Sequence, residues 1–200
     1  MGHSEKRESS LMNEDILEIY KKTGGLRTGH FQLTSGLHTD SYLQSALVLQ
    51  YPEHATRIGQ EIANHFRNEK IDLVVGPAVG GIILSHTVGK ALGARSIYVE
   101  RKDGKLIFYR AFEIKPRERA LIVEDVVTTG GSVQETIEVV EKYGAEIVGI
   151  GSIVERSGGK VRFSVPYRPL LVIEARSYPP SNCPLCKKGE SVTIPGSRGL

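Results

Sequence analysis

The feature that most restricts the fold is a set of short, unbroken apolar runs: Leu73-Val74-Val75, Ala120-Leu121-Ile122-Val123 and Leu170 to Ile173. A strand with one wet face alternates apolar and polar residues; a run without alternation must be covered on both faces. Ile147 to Val154 and Ser96 to Glu100 read as further strands, and Leu106 to Tyr109 as a short one. Between them lie stretches of helical spacing. Ile58, Ile62 and Phe66 follow a helix-opening Pro52, a helix spans about Gly81 to Leu92, and Val133, Ile137 and Val140 share a face within 132–143. Strand and helix in alternation predict an α/β fold, a mostly parallel twisted sheet flanked by helices. Two hundred residues fit one domain.

Ahead of this core, Leu11, Ile16, Ile19 and Tyr20 predict a helix that Gly24-Gly25 stops. Phe31 to Gln44 reads as extended, with a turn at Ser35-Gly36. Residues 1–10 are polar, and the tail from Tyr178, rich in Pro and Gly, reads as loop. Lys and Arg number 26 against 23 Asp and Glu, a net charge of +3, too small to predict a nucleic-acid partner. The longest uncharged stretch, Leu73 to Gly89, is broken by Pro77 and Gly80-Gly81, so no membrane span is expected. The first eight residues have no apolar core of a secretory signal, and two cysteines make no disulfide framework. A cytoplasmic location is expected.

One segment carries the chemistry. The apolar strand Ala120-Leu121-Ile122-Val123 ends in Glu124-Asp125; Val126-Val127 and then Thr128-Thr129-Gly130-Gly131-Ser132 follow, where a helix opens. In open α/β sheets, ligands bind beyond the carboxyl ends of the strands. The glycines let the backbone turn tightly. Free N–H groups and the dipole at the helix start favour an anion such as phosphate, and Thr128, Thr129 and Ser132 add hydroxyl donors. Adjacent carboxylates suit sugar hydroxyls or a hydrated divalent ion. A ribose phosphate satisfies both halves.

This string resembles the phosphoribosyl-diphosphate-binding motif of the type I phosphoribosyltransferases. It is not a Walker A loop, because no Gly-Lys-Ser/Thr follows, and it lacks the dinucleotide spacing of glycines. The resemblance covers nearly the whole chain and is strongest to the orotate-using branch. Phe31-Gln32-Leu33-Thr34-Ser35-Gly36 is similar to that branch's N-terminal segment over the base, and Tyr42 falls where an aromatic lies near orotate. Val75 to Gly81 resembles the pyrophosphate loop. Arg101-Lys102-Asp103-Gly104-Lys105 resembles the mobile basic loop, and Val154-Glu155-Arg156 the strand end whose Arg meets the orotate carboxylate.

The resemblance implies a single phosphoribosyltransferase domain over 1–200. Its core would span about 51–175, and its hood would come from about 11–50 and the tail. It implies transfer of phosphoribose from 5-phosphoribosyl 1-diphosphate to N1 of orotate in pyrimidine biosynthesis, with Mg2+ as cofactor and a homodimer as the working unit. Arg101, Lys102 and Lys105 would stabilise the leaving diphosphate, and Glu124 and Asp125 would hold the ribose hydroxyls. Val126 to Ser132 would anchor the 5′-phosphate, and Thr128 and Arg156 would orient orotate. The protein itself would give the metal no dedicated site beyond Asp125. Four positions depart from the branch's pattern: Val79-Gly80 replaces a Tyr-Lys pair, Thr34 replaces a lysine, and Ile107 replaces a histidine.

Two rival readings are a purine-base transferase and a non-catalytic sensor of the same diphosphate that binds nucleic acid. Arg156 and the N-terminal segment favour orotate, since a purine has no carboxylate. The intact basic loop and small net charge argue against the sensor. Cys183-Pro184-Leu185-Cys186 offers two of the four ligands of a structural zinc site. No second Cys pair exists, and the six histidines are distant in sequence. The sequence therefore favours an inert knuckle or an adventitious disulfide, with a half-site completed across a dimer as the alternative.

Overall fold

The computed structural model describes residues 15–33 and 35–195. The expectations for residues 1–10, for Leu11 and for Thr34 lie outside the described residues. Helix α1 (15–22) buries Ile16, Ile19 and Tyr20. Strands β1 (Leu26–Gln32) and β2 (His38–Leu43) follow, then α2 (Ala46–Leu49), α3 (Pro52–Asn64), β3 (Leu73–Pro77) and α4 (Gly80–Leu92). The chain continues through β4 (Arg95–Lys102), β5 (Lys105–Ile107), β6 (Arg119–Val127), α5 (Gly131–Lys142), β7 (Glu146–Glu155) and β8 (Tyr167–Val172). The tail adds β9 (Ser177–Tyr178), a 3-10 turn at Pro180–Asn182 and α6 (Pro184–Lys187).

The main sheet has six strands in the order β5-β4-β3-β6-β7-β8. All neighbours run parallel except β5, which turns back on β4. The unbroken apolar runs now have their cause. In β3 and β6, Val74, Leu121 and Val123 pack into one core cluster with Ile58, Ile62, Leu84 and Val88 from α3 and α4. Their sequence neighbours Leu73, Val75, Ala120 and Ile122 pack into the other, with Val133, Ile137 and Val140 from α5. Successive side chains point to opposite faces, and both faces are covered.

The acidic doublet does not end its strand, as the sequence had suggested. Strand β6 runs on to Val127, pairing Val126 with Val154 and Val127 with Glu155. The parallel ladder offered by β7 outweighs the poor strand preference of two acids.

The tail is likewise not plain loop. A second, antiparallel sheet joins β1, β2 and β9, with His38 opposite Tyr178. The Gln32 N–H donates to the Thr193 carbonyl at 2.9 Å, and the Thr193 N–H to that of His30 at 2.8 Å. The two ends of the described chain thus form one small sheet. No helix among the described residues is long and apolar enough to cross a membrane.

Candidate active site

The turn after β6 is held open by backbone shape. Gly130 sits at φ 84°, immediately before α5, in the left-handed region that suits glycine. A Cβ there would lie 2.9 Å from the Phe163 ring and 3.1 Å from Val161. No side chain caps α5, so its first N–H groups face the turn from Val126 to Ser132. With Glu124 and Val133 these residues wall a cavity of about 50 Å³. The uncapped amides and the positive end of a 12-residue helix favour an anion at this turn. A larger concavity of about 550 Å³ lies elsewhere, between the β4–β5 hairpin and α5. It is lined by Leu106, Phe108, Val139 and Tyr143 together with charged residues such as Lys105, Glu135 and Lys142.

The two acids are unlike each other. Glu124 is only 8% exposed, and the Asp125 N–H donates to its Oε1 at 3.1 Å. Burial, with the Asp125 charge beside it, holds its carboxyl well above the usual carboxylate range. Asp125 is half-buried and lies over the turn after β3, the neighbouring strand. A Cβ on Gly80 would fall 2.5 Å from its carboxylate, so the Val79-Gly80 departure is also what lets this acid approach. Burial thus favours the protonated form of Glu124, while Asp125 faces the second loop.

Arg156 follows β7 and is 8% exposed. Its Nη2 donates to the Ser41 carbonyl at 3.3 Å, while its Nε, buried, has no partner among the described residues. Asp40 and Tyr42 of β2 lie close enough to act on its charge, while burial lowers its pKa. Glu155 does not pair with it. That carboxylate is buried and accepts the N–H groups of Ser157 and Gly159. A guanidinium with a free buried donor, beside an aromatic ring, is a fork facing the small sheet.

The basic residues of 101–105 form the tip of the β4–β5 hairpin, turned through Asp103 and Gly104 at φ 50° and 80°. Arg101 donates to the Gly104 carbonyl at 2.6 Å and pairs with Glu135 on α5 at 2.9 Å. The Lys102 ammonium sits 4.3 Å from the centre of the Tyr109 ring. In this conformation Arg101 is tied to Glu135, about one helical turn from the anion seat, and Lys102 rests on Tyr109. Glu124, Asp125 and the 126–132 turn are brought together by β6, and Arg156 lies at the end of the adjacent β7.

A family model described as phosphoribosyl transferase domain matches residues 47–168, more than half of the chain. An orotate phosphoribosyltransferase of Desulforamulus reducens is 48% identical over 190 residues, 95% of this chain and 100% of that one. Another, from Thermotoga maritima, is 49% identical over 185 residues, 92% and 99% of the two chains. This chain belongs to the orotate phosphoribosyltransferase family. The fold agrees. The orotate phosphoribosyltransferase of Mycobacterium tuberculosis, solved with inorganic phosphate, superposes at a TM-score of 0.67. It is 20% identical, and the match covers 81% of this chain and 96% of that one.

In this phosphoribosyltransferase fold, three polar groups to which the sequence assigned no role, Ser152, Tyr167 and Glu155, lie beside the predicted site. Ser152, opposite Glu124 in the β6–β7 ladder, shares a hydrogen bond of 2.8 Å with the Tyr167 hydroxyl. Burial raises the Tyr167 pKa, and the charges of Glu155 and Glu124 add to it. Glu155 holds the loop after Arg156 in place. A polar residue inside an otherwise apolar strand is the signal that could have found Ser152 and Glu155. Sequence distance also misled. The structure puts His30 and His38 against Cys183 and Cys186, contrary to the isolation expected of that pair.

Proposed function

We propose that this chain transfers phosphoribose from 5-phosphoribosyl 1-diphosphate to N1 of orotate, giving orotidine 5′-monophosphate and diphosphate. The observation that carries the choice of base is Arg156, buried with an unpaired Nε between the phosphate turn's strand pair and Tyr42. Orotate has a planar carboxylate that supplies the missing acceptor, whereas a purine base has none.

The 5′-phosphate sits on the amides and hydroxyls of Thr128 to Ser132. Asp125 accepts from the ribose hydroxyls, and Glu124 hydrogen-bonds them from the adjacent position. As the bond from ribose C1 to the diphosphate lengthens, positive charge grows on the sugar near Asp125 and negative charge on the leaving group. Arg101, Lys102 and Lys105 lie on one hairpin tip that closes on the leaving group once the exposed Arg101–Glu135 pair opens. Thr128 and Arg156 orient orotate so that N1 faces the sugar carbon. The catalysis is positioning and charge placement.

Mg2+ fits this donor set. It takes one or two carboxylates and completes its shell with substrate phosphates and water, and Asp125 is the half-buried carboxylate available. When bound, the ion neutralises charge developing on the diphosphate. The working unit is a homodimer.

The deciding experiment mixes protein, Mg2+, orotate and 5-phosphoribosyl 1-diphosphate and follows the loss of orotate absorbance. Turnover with orotate and none with adenine or hypoxanthine is expected; the reverse overturns the reading. For the homodimer, Arg101→Ala and Asp125→Asn are each inactive alone. Mixing the two restores part of the activity if hairpins cross between subunits, and none if each serves its own.

A further inference from the structure

The fold gathers four metal-ligand atoms far from the phosphate turn: the ring nitrogens of His30 and His38 and the sulfurs of Cys183 and Cys186, all within 4.8 Å of one another. His30 Nε2 and His38 Nδ1 are 2.8 Å apart. The Cys183 sulfur lies 3.5 Å from His30 Nε2, and that of Cys186 lies 3.6 Å from it and 3.3 Å from His38 Nδ1. Zinc at about 2.3 Å from sulfur and about 2.05 Å from nitrogen, in a tetrahedron, sets sulfur–nitrogen edges of about 3.6 Å. The three sulfur–nitrogen distances approximate those edges.

We propose that these four residues form a structural zinc site that fastens the C-terminal tail to the small sheet. Three further observations support it. His30, His38 and Cys183 are buried, so three of the four ligands are shielded from water, and Cys186 lies on the exposed side. The other ring nitrogen of His30, Nδ1, lies 2.8 Å from the Glu190 carbonyl. A carbonyl only accepts, so Nδ1 carries the proton and Nε2 presents its lone pair to the cluster. The cysteines flank Pro184-Leu185 in the spacing that lets one turn supply two thiolates, and both are free cysteines.

The chemistry balances simply. Zn2+ binds two thiolates and two neutral imidazoles, the thiols release two protons, and nothing is oxidised or reduced. Two soft sulfurs with two imidazoles select zinc over magnesium or calcium, so this site is separate from any ion carried by the substrate diphosphate.

The purpose follows from position. His30 and His38 stand on β1 and β2, and β2 carries Asp40, Ser41 and Tyr42 beside Arg156. Backbone pairing holds the tail to the small sheet only through the two residues of β9 and the two hydrogen bonds of Thr193, among the described residues. A metal there cross-links strands about 150 residues distant from the tail.

The test is metal analysis of the full-length protein purified without chelator or affinity metal. One zinc per chain is expected in the parent and none in a Cys183→Ser/Cys186→Ser variant. Cobalt added to reduced apo-protein should give the strong visible bands of a tetrahedral thiolate site. Removing zinc from the parent should lower Tm by roughly 10 °C. If the double variant fails to fold, Cys186→Ser, at the exposed ligand, is read by the same cobalt spectrum, which should weaken and shift. The proposal is overturned if the parent holds no zinc and takes up neither zinc nor cobalt after reduction. It is equally overturned if the native mass shows a Cys183–Cys186 disulfide that re-forms in preference to metal binding. Neither readout depends on turnover, so failure here is distinct from failure of the orotate reading.

Discussion

The turn after β6 and the histidine–cysteine cluster are both compact polar sites, but they are assembled in opposite ways. The turn is nine consecutive residues, Glu124 to Ser132, whose positions follow from one strand end and one helix start. The cluster draws on residues 30, 38, 183 and 186, which meet only after the tail returns to the small sheet. The first is local geometry that folding must merely not disturb. The second exists only once the entropy of closing a very long loop has been overcome.

The comparison breaks most visibly at Gly130. Gly130→Val demands a left-handed backbone from a β-branched residue and drives a Cβ into Phe163. Strain of about 1–3 kcal/mol adds to misplacement of the amides, so activity should fall roughly 10³-fold. Metal content of the distant cluster should be unchanged. Steady-state kinetics with zinc analysis checks both, and a variant with near-parental activity would show that the turn's amides are not the anion seat.

Next comes Arg156→Met. Losing the fork to a buried carboxylate should raise KM for orotate roughly 10²-fold, with KM for 5-phosphoribosyl 1-diphosphate little changed. Stability should hold or rise, because the variant removes a buried, unpaired Nε. A fall in Tm without a change in KM would make Arg156 a structural residue instead.

What the sequence made legible follows the same division. The apolar runs at 73–75 and 120–123 told of a sheet covered on both faces, because burial on two sides leaves no room for polar alternation. The string from Glu124 to Ser132 announced an anion seat, because each residue acts where it stands. The burial of Arg156 against β2, the difference between Glu124 and Asp125, and the four-residue cluster were not legible. Each depends on which distant strand lies alongside. Cys183-Pro184-Leu185-Cys186 looked inert only because its partners are two histidines in a hairpin at the other end of the chain. The extension of β6 through its two acids was missed for the same reason, since β7 supplies the ladder.

A smaller effect separates the two acids. Glu124 keeps its proton in the folded state to a higher pH than the 4.5 of an ordinary glutamate. Over that window the native state binds more protons than the unfolded chain, so stability falls as pH rises, by up to about 1.4 kcal/mol per pH unit. The contribution is fully present below the ordinary value and is lost as pH climbs through the raised one. Glu124→Gln removes this slope. In denaturant titrations the variant should gain on the parent between pH 5 and pH 8, to an extent set by the raised value, and match it most closely in acid. Parallel curves at every pH would mean that folding does not raise the Glu124 pKa.

The smallest effect belongs to the Arg101–Glu135 pair, whose side chains are 46% and 45% exposed. Exposed pairs contribute about 0–1 kcal/mol, so Glu135→Ala should shift Tm by only a degree or two. Its kinetic sign is the informative part. If the pair holds the hairpin away from its work, breaking it should lower KM for 5-phosphoribosyl 1-diphosphate by about two- to threefold, the equivalent of such a pair. Raising the salt concentration should shrink the difference between variant and parent, because screening already weakens the parent's pair. A variant whose kcat falls with KM unchanged would instead put Glu135 in the closed arrangement, steadying Arg101 against the leaving group rather than restraining it.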